Sequence, residues 1–76
     1  MNKLDAWPPP AWIEVVVSWK TMLNNADCSP NTITEWCNNY PGHGCWHLHG
    51  WRQTEGFAFR FEDARDATAF KLTWDR

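Results

Sequence analysis

These 76 residues predict a small α+β domain, a ferredoxin-like split βαβ sandwich with a three- or four-stranded antiparallel sheet and two short helices. Three observations predict it. A β-branched and aromatic run lies near the start of the chain. Two further apolar runs flank one turn in the middle. Stretches with helical spacing and helix-starting residues stand between and after these runs.

A chain this short buries only about 60% of the surface its unfolded form exposes, so its core must be dense. Seven tryptophans and four phenylalanines supply that density, because each large aromatic removes roughly 150–250 Å² from water. Such a core needs neither a metal nor a disulfide to hold it.

The first element is an arm. Residues 1–11 contain Pro8, Pro9 and Pro10, which lack amide donors and fix φ, so the arm is expected to be extended rather than helical or paired in a sheet. The domain proper is residues 12–76. From Trp12 to Trp19 the run Trp-Ile-Glu-Val-Val-Val-Ser-Trp reads as a strand. Alternation puts Ile13, Val15, Val17 and Trp19 on its apolar face and Trp12, Glu14, Val16 and Ser18 on the other.

Residues 20–30 read as a loop that ends in a helix start, with Ser29 as N-cap and Pro30 at the first helical position. Ile33, Trp36, Cys37 and Tyr40 then follow the i, i+3, i+4, i+7 spacing of one helical face, and Pro41-Gly42 stops the helix. This helix covers about residues 30–40.

Residues 45–62 read as a hairpin turning about Gln53-Thr54, so that residues whose numbers sum to about 107 face each other. The register pairs Trp46 with Phe61, Leu48 with Phe59 and Gly50 with Phe57. It also turns Cys45, His47, His49 and Trp51 to the opposite face, with His47 across from Arg60 and His49 across from Ala58. Asp63 caps a second helix over about 63–70. Phe70, Leu72 and Trp74 alternate with Lys71 and Thr73, which fits either a short last strand or a continued helix.

Several function classes find little support. Seven basic residues against nine acidic ones, with no basic cluster, offer a phosphate backbone little to neutralise. Neither a membrane span nor a signal-peptide-like run is present, so a cytoplasmic location is expected. Three cysteines is an odd number, and reduced thiols at Cys28, Cys37 and Cys45 are expected over a disulfide. Those thiols with His43, His47 and His49 are the candidate metal ligands, and no Cys-x₂₋₄-Cys pair supports a zinc site. No cofactor is expected. Catalytic motifs are absent, Cys45 beside His47 being the one nucleophile and base pairing, so the chain is not expected to be an enzyme.

The face away from the helices collects Trp12, His47, His49, Trp51 and Arg60. Tryptophan and arginine with few lysines is a composition enriched at interface centres, so these five residues are the candidate binding site for a protein partner. The strand at 45–51 is an expected sheet edge, open to a partner strand or to a second copy. Two alternatives are a single-stranded nucleic-acid-binding module, which would stack bases on the same aromatics, and a small metal- or thiol-dependent module. For stacking, Ala58 and Arg60 stand where an RNA-recognition sheet carries aromatics.

The ending Phe59-Arg60-Phe61-Glu62-Asp63-Ala64-Arg65-Asp66-Ala67-Thr68-Ala69-Phe70-Lys71-Leu72-Thr73-Trp74 resembles the close of short uncharacterised accessory proteins encoded by tailed phages. The resemblance covers about a fifth of the chain and assigns no site residues. What it implies is a protein that acts by binding a host or virion protein, in the host cytoplasm.

Overall fold

The computed structural model describes residues 1–24 and 29–74. In chain order these form β1 (Asn2–Lys3), β2 (Ile13–Ser18), α1 (Trp19–Asn24), α2 (Pro30–Asn39), β3 (Cys45–Arg52), β4 (Gly56–Phe61) and α3 (Ala64–Trp74). The sheet order is β1-β3-β4-β2. Because β4 is antiparallel to both β2 and β3, the unit β2-α2-β3 is a crossover between two parallel strands with β4 inserted between them. This is the split βαβ arrangement.

The sheet is mixed rather than purely antiparallel, since β1 pairs with β3 in parallel, Asn2 beside Cys45 and Lys3 beside Trp46. The arm is therefore partly paired, contrary to its proline content. The three prolines follow this strand and leave its amides free to bond. Leu4 N extends this pairing by donating to Trp46 O at 2.8 Å, so the strand expected as a sheet edge at 45–51 is instead flanked on both sides at its start, by the arm and by β4. The amino group of Met1 donates to the carbonyl oxygens of Cys37 and Tyr40, filling two of the acceptors left open at the end of α2.

The strand read at 12–19 is one residue shorter at each end, and the expected loop after it begins with α1. Ser18 decides this. Its hydroxyl accepts from Thr21 N at 3.2 Å and pairs with Thr21 Oγ1 at 2.9 Å, which makes the last residue of β2 also the N-cap of α1. Trp19 becomes the first helical residue. Asn25, Asp27 and Cys28, in the rest of that expected loop, lie outside the described residues.

Helix α2 starts as expected, with the Ser29 hydroxyl accepting from Thr32 N at 3.2 Å and Pro30 at its first position. Helix α3 starts at Asp63, whose carboxylate accepts from Arg65 N at 2.8 Å. Of the two readings for residues 70–74, the helix prevails. Ala67, Phe70 and Trp74 form a helical stripe, with Phe70 packed on Phe59 and Phe61 at ring separations of 5.0 and 4.8 Å and Trp74 on Trp36 at 6.4 Å. A strand would point Leu72 inward with them, and Leu72 is 80% exposed. Residues 75 and 76 lie outside the described residues.

The core lies between one face of the sheet and the helices. Val15, Val17, Trp46, Phe59 and Phe61 from the strands meet Ile33 and Cys37 from α2 and Ala67 and Phe70 from α3. Each fully buried phenylalanine is worth about 1.5–3 kcal/mol of transfer from water. Burial also pushes the Cys37 thiol up to about 12, so it packs as a neutral group. No helix is long and apolar enough to cross a membrane among the described residues.

Candidate functional site

The sheet face away from the helices is covered by the arm, and this changes the character of the predicted site. His47 Nδ1 lies 2.8 Å from Leu4 O. A carbonyl only accepts, so the hydrogen of the ring sits on Nδ1 and is donated to the arm. The Trp7 indole lies over both histidines, with centroid separations of 5.9 Å to His47 and 4.6 Å to His49. His47 is consequently buried, and so is Ala58 on the same face. The face expected to bind is therefore not open at His47 and His49, because the extended arm lies across them.

Beside the two histidines lies a small charged network. Glu14 on β2 accepts from Arg52 Nη2 at 2.6 Å and has Arg60 Nε at 3.7 Å. The hydrogen bond from Arg52, followed by the charges of Arg52 and Arg60, holds the Glu14 carboxyl below its ordinary range. His49 is pushed down, first by burial and then by the charge of Arg60. Its Nδ1 and Arg60 Nε are buried with no hydrogen-bond partner among the described residues. Arg60 is thus an interior partner of Glu14 more than an outward anchor, and Trp12 is half-buried.

Trp51 is elsewhere. The hairpin keeps its predicted register from Trp46–Phe61 to Leu48–Phe59, then shifts by one residue, so that Gly50 faces Ala58 and Trp51 faces Phe57. The expected pairs Gly50–Phe57 and His49–Ala58 are therefore not formed. The cause is a bulge at His49-Gly50, where Gly50 takes φ = +117°, a conformation that costs glycine little. The extra residue turns Trp51 from the covered face to the helix side of the sheet. An isolated glycine inside a strand pattern is the signal for such a bulge.

At the hairpin tip, Trp51 meets Trp19, which is expected on the apolar face of the first strand and is instead the first residue of α1. The two indoles stand at 90° with centroids 6.0 Å apart, and Trp19 also meets Phe57 edge-on at 5.3 Å. Trp19 is fixed at both ends: its backbone N donates to Glu55 O at 3.2 Å and its Nε1 to Gln53 O at 3.1 Å. The Trp51 indole has no such hydrogen bond among the described residues and is 73% exposed. Beside the pair is a depression of about 490 Å³ lined by Trp19, Trp51 and Gln53. A second aromatic depression, of about 510 Å³, lies on the helical side against Trp36, Tyr40 and Trp74. Its rings are packed on each other, Trp36 and Tyr40 stacking at 4.7 Å.

Among the described residues no three His, Cys, Asp or Glu side chains come together as metal ligands. Cys37 and Cys45 are free thiols, while Cys28 lies outside the described residues. The Nδ1 hydrogen of His47 is engaged by Leu4, which turns that nitrogen away from any role as a base toward Cys45. Comparison with protein-family models, with curated proteins and with solved structures finds no match to this chain.

Proposed function

We propose that the chain is a small non-enzymatic binding protein that grips a protein partner with the aromatic hairpin tip. The observation that carries this is Trp51: a tryptophan 73% exposed, at right angles to a rigidly held Trp19 and beside an open depression. Exposed tryptophan next to a pre-ordered aromatic is the composition and geometry of an interface anchor, since little side-chain entropy is lost when it is covered. Of the five residues expected to bind, Trp51 leads, and Trp12, His47, His49 and Arg60 support the face beneath the arm.

The phage-like ending makes a host or virion protein, met in the host cytoplasm, the partner of choice. Single-stranded nucleic acid fits less well, because Arg52 and Arg60 both face Glu14 and the net charge is −2. A pull-down from host lysate, run with and without nuclease, tests the reading. The expected result is a protein retained after nuclease by the wild type and lost with Trp51→Ala. Retention that vanishes with nuclease would replace this reading with the nucleic-acid one.

A further inference from the structure

Residues 5–12 form a strap that is pinned at both ends. At its root Asn2 and Lys3 are paired with β3, Leu4 N donates to Trp46 O and Leu4 O accepts from His47 Nδ1. At its far end Trp12 N donates to Pro9 O at 3.1 Å, in the turn that leads into β2. Between these points Pro8 is buried, and the Trp7 ring rests on His49 at 4.6 Å and meets His47 edge-on at 5.9 Å. Trp7 is nonetheless 76% exposed. Most of the indole faces solvent, and the rings it does touch are two titratable ones.

Those two rings respond differently to a proton. His47 carries its hydrogen on Nδ1, bonded to Leu4 O, so a second proton goes to Nε2 and leaves that bond in place. His49 has no such outlet, because its Nδ1 is buried without a hydrogen-bond partner among the described residues. Protonated, it holds a covered N–H that lacks an acceptor. Positive groups face it from Arg60 on β4 and from Arg52 and His47 on β3, the His47 ring centroid being 5.7 Å away. Glu14 on β2 faces it with the opposite charge, and that carboxylate is already engaged by Arg52 at 2.6 Å and Arg60 at 3.7 Å. The charges of the arm itself, Lys3 and Asp5, are exposed.

We propose that the strap is an acid-opened cover: a proton on His49 lifts Trp7 off the sheet face, while Leu4 stays docked on His47 and Trp46 and serves as the hinge. Lifting Trp7 admits water to His49, which supplies the acceptor that the covered ring lacks. Pro8, Pro9 and Pro10 stiffen the segment next to Trp7, so it moves as a unit instead of coiling. The consequence is a gated surface. His47 and His49 belong to the face expected to bind, and the strap shuts that part of it at neutral pH and uncovers it in acid. The sign follows from linkage. Burial, and then the Arg60 charge, disfavour the proton while the cover is closed, so opening takes a proton up. The open fraction therefore rises as pH falls below about 6.5, by at most about tenfold per pH unit for one proton. Glu14, held below the ordinary carboxylate range, keeps its charge across that window. The gate is independent of the hairpin tip.

An NMR titration of the wild type from about pH 7.5 to about pH 4.5 tests the proposal. The expected result is that nuclear Overhauser contacts between the Trp7 indole and the His49 ring fade with the midpoint of His49 itself. Over the same range the Leu4 amide keeps its protection from hydrogen exchange. His49→Phe leaves a ring beneath Trp7 that cannot take up a proton, and its contacts with Trp7 are expected to persist to the lowest pH. Contacts that survive the titration of His49 overturn the proposal, as does fading at a different midpoint. Loss of Leu4 protection together with the contacts overturns the hinge, and with it the proposal, since the molecule is then unfolding. A His49→Phe strap that opens in acid as the wild type does removes His49 as the trigger. If that variant is already open at neutral pH, agreement or disagreement of the two wild-type midpoints decides alone.

Discussion

The carboxylate of Asp66, in the first turn of α3, accepts a 2.9 Å hydrogen bond from the amide of Gly44, just ahead of β3. Its two oxygens also accept from His43 N at 3.0 Å, and the side chain is fully buried. The loop ahead of β3 is thereby tied to a helix more than twenty residues away in sequence. Asp66→Ala leaves those amides without an acceptor and is expected to cost about 2–4 kcal/mol. Chemical denaturation of the variant measures it, and a change below half a kcal/mol would show that the loop does not need the carboxylate.

Phe59 is fully buried on the hairpin's apolar face, packed between Trp46 and Phe70. Phe59→Ala is expected to lose about 3–5 kcal/mol of stability. Phe57, half-buried at the tip, is expected to lose less. Equal losses in the two variants would mean that the tip belongs to the core.

The two positive-φ glycines separate strain from collision. A Cβ at Gly50, φ = +117°, meets nothing, whereas one at Gly56, φ = +147°, would run into the Val17 carbonyl oxygen. Gly50→Ala is expected to cost about 1–2 kcal/mol, the backbone term alone. Gly56→Ala adds displacement of β2 and is expected to cost more. Thermal melts of the pair give the order, and the reverse order would refute the placement of the bulge.

Trp51→Ala is expected to keep the circular dichroism spectrum and melting behaviour of the parent while weakening partner binding by about 1–3 kcal/mol. A titration against the captured partner reads this directly. Unfolding of the variant would reassign Trp51 from anchor to scaffold.

His49 gives the fold a pH dependence of definite sign. Burial under the arm, and then the Arg60 charge, hold its pKa below the ordinary value of about 6.5. A base depressed in the folded state binds its proton more readily when uncovered. The covered state therefore has its full stability above about pH 6.5 and loses it as pH falls through the lowered value. Trp7→Ala and Arg60→Ala are each expected to raise the His49 midpoint seen by NMR titration. A midpoint unchanged in both would mean that neither the ring nor the guanidinium sets it.

The hairpin's apolar face, the start of α2 and the Asp63 cap are legible in the sequence because each rests on neighbours a few residues apart. Alternation, a Ser-Pro pair and a capping carboxylate act locally. What is not legible depends on distant partners or on a single competing residue. Ser18 has the composition of a strand residue and serves as a cap. Gly50 breaks an otherwise regular alternation and carries Trp51 to the other side. The arm's place over His47 and His49 depends on an indole and a carbonyl more than forty positions away, which no local pattern encodes.

The arm also constrains the order in which the molecule can be assembled. Asn2 and Lys3 find their strand partners at Cys45 and Trp46, and Met1 finds its acceptors at Cys37 and Tyr40. The arm residues are thus made before partners that lie about forty positions further along the chain. Contacts between such distant residues carry a large loop-closure cost until the intervening segments are compact. The hairpin at 45–61, whose contacts are local, is the natural template, and the arm is laid across a surface that already exists. Synthesis runs from one end while the sheet grows from the other.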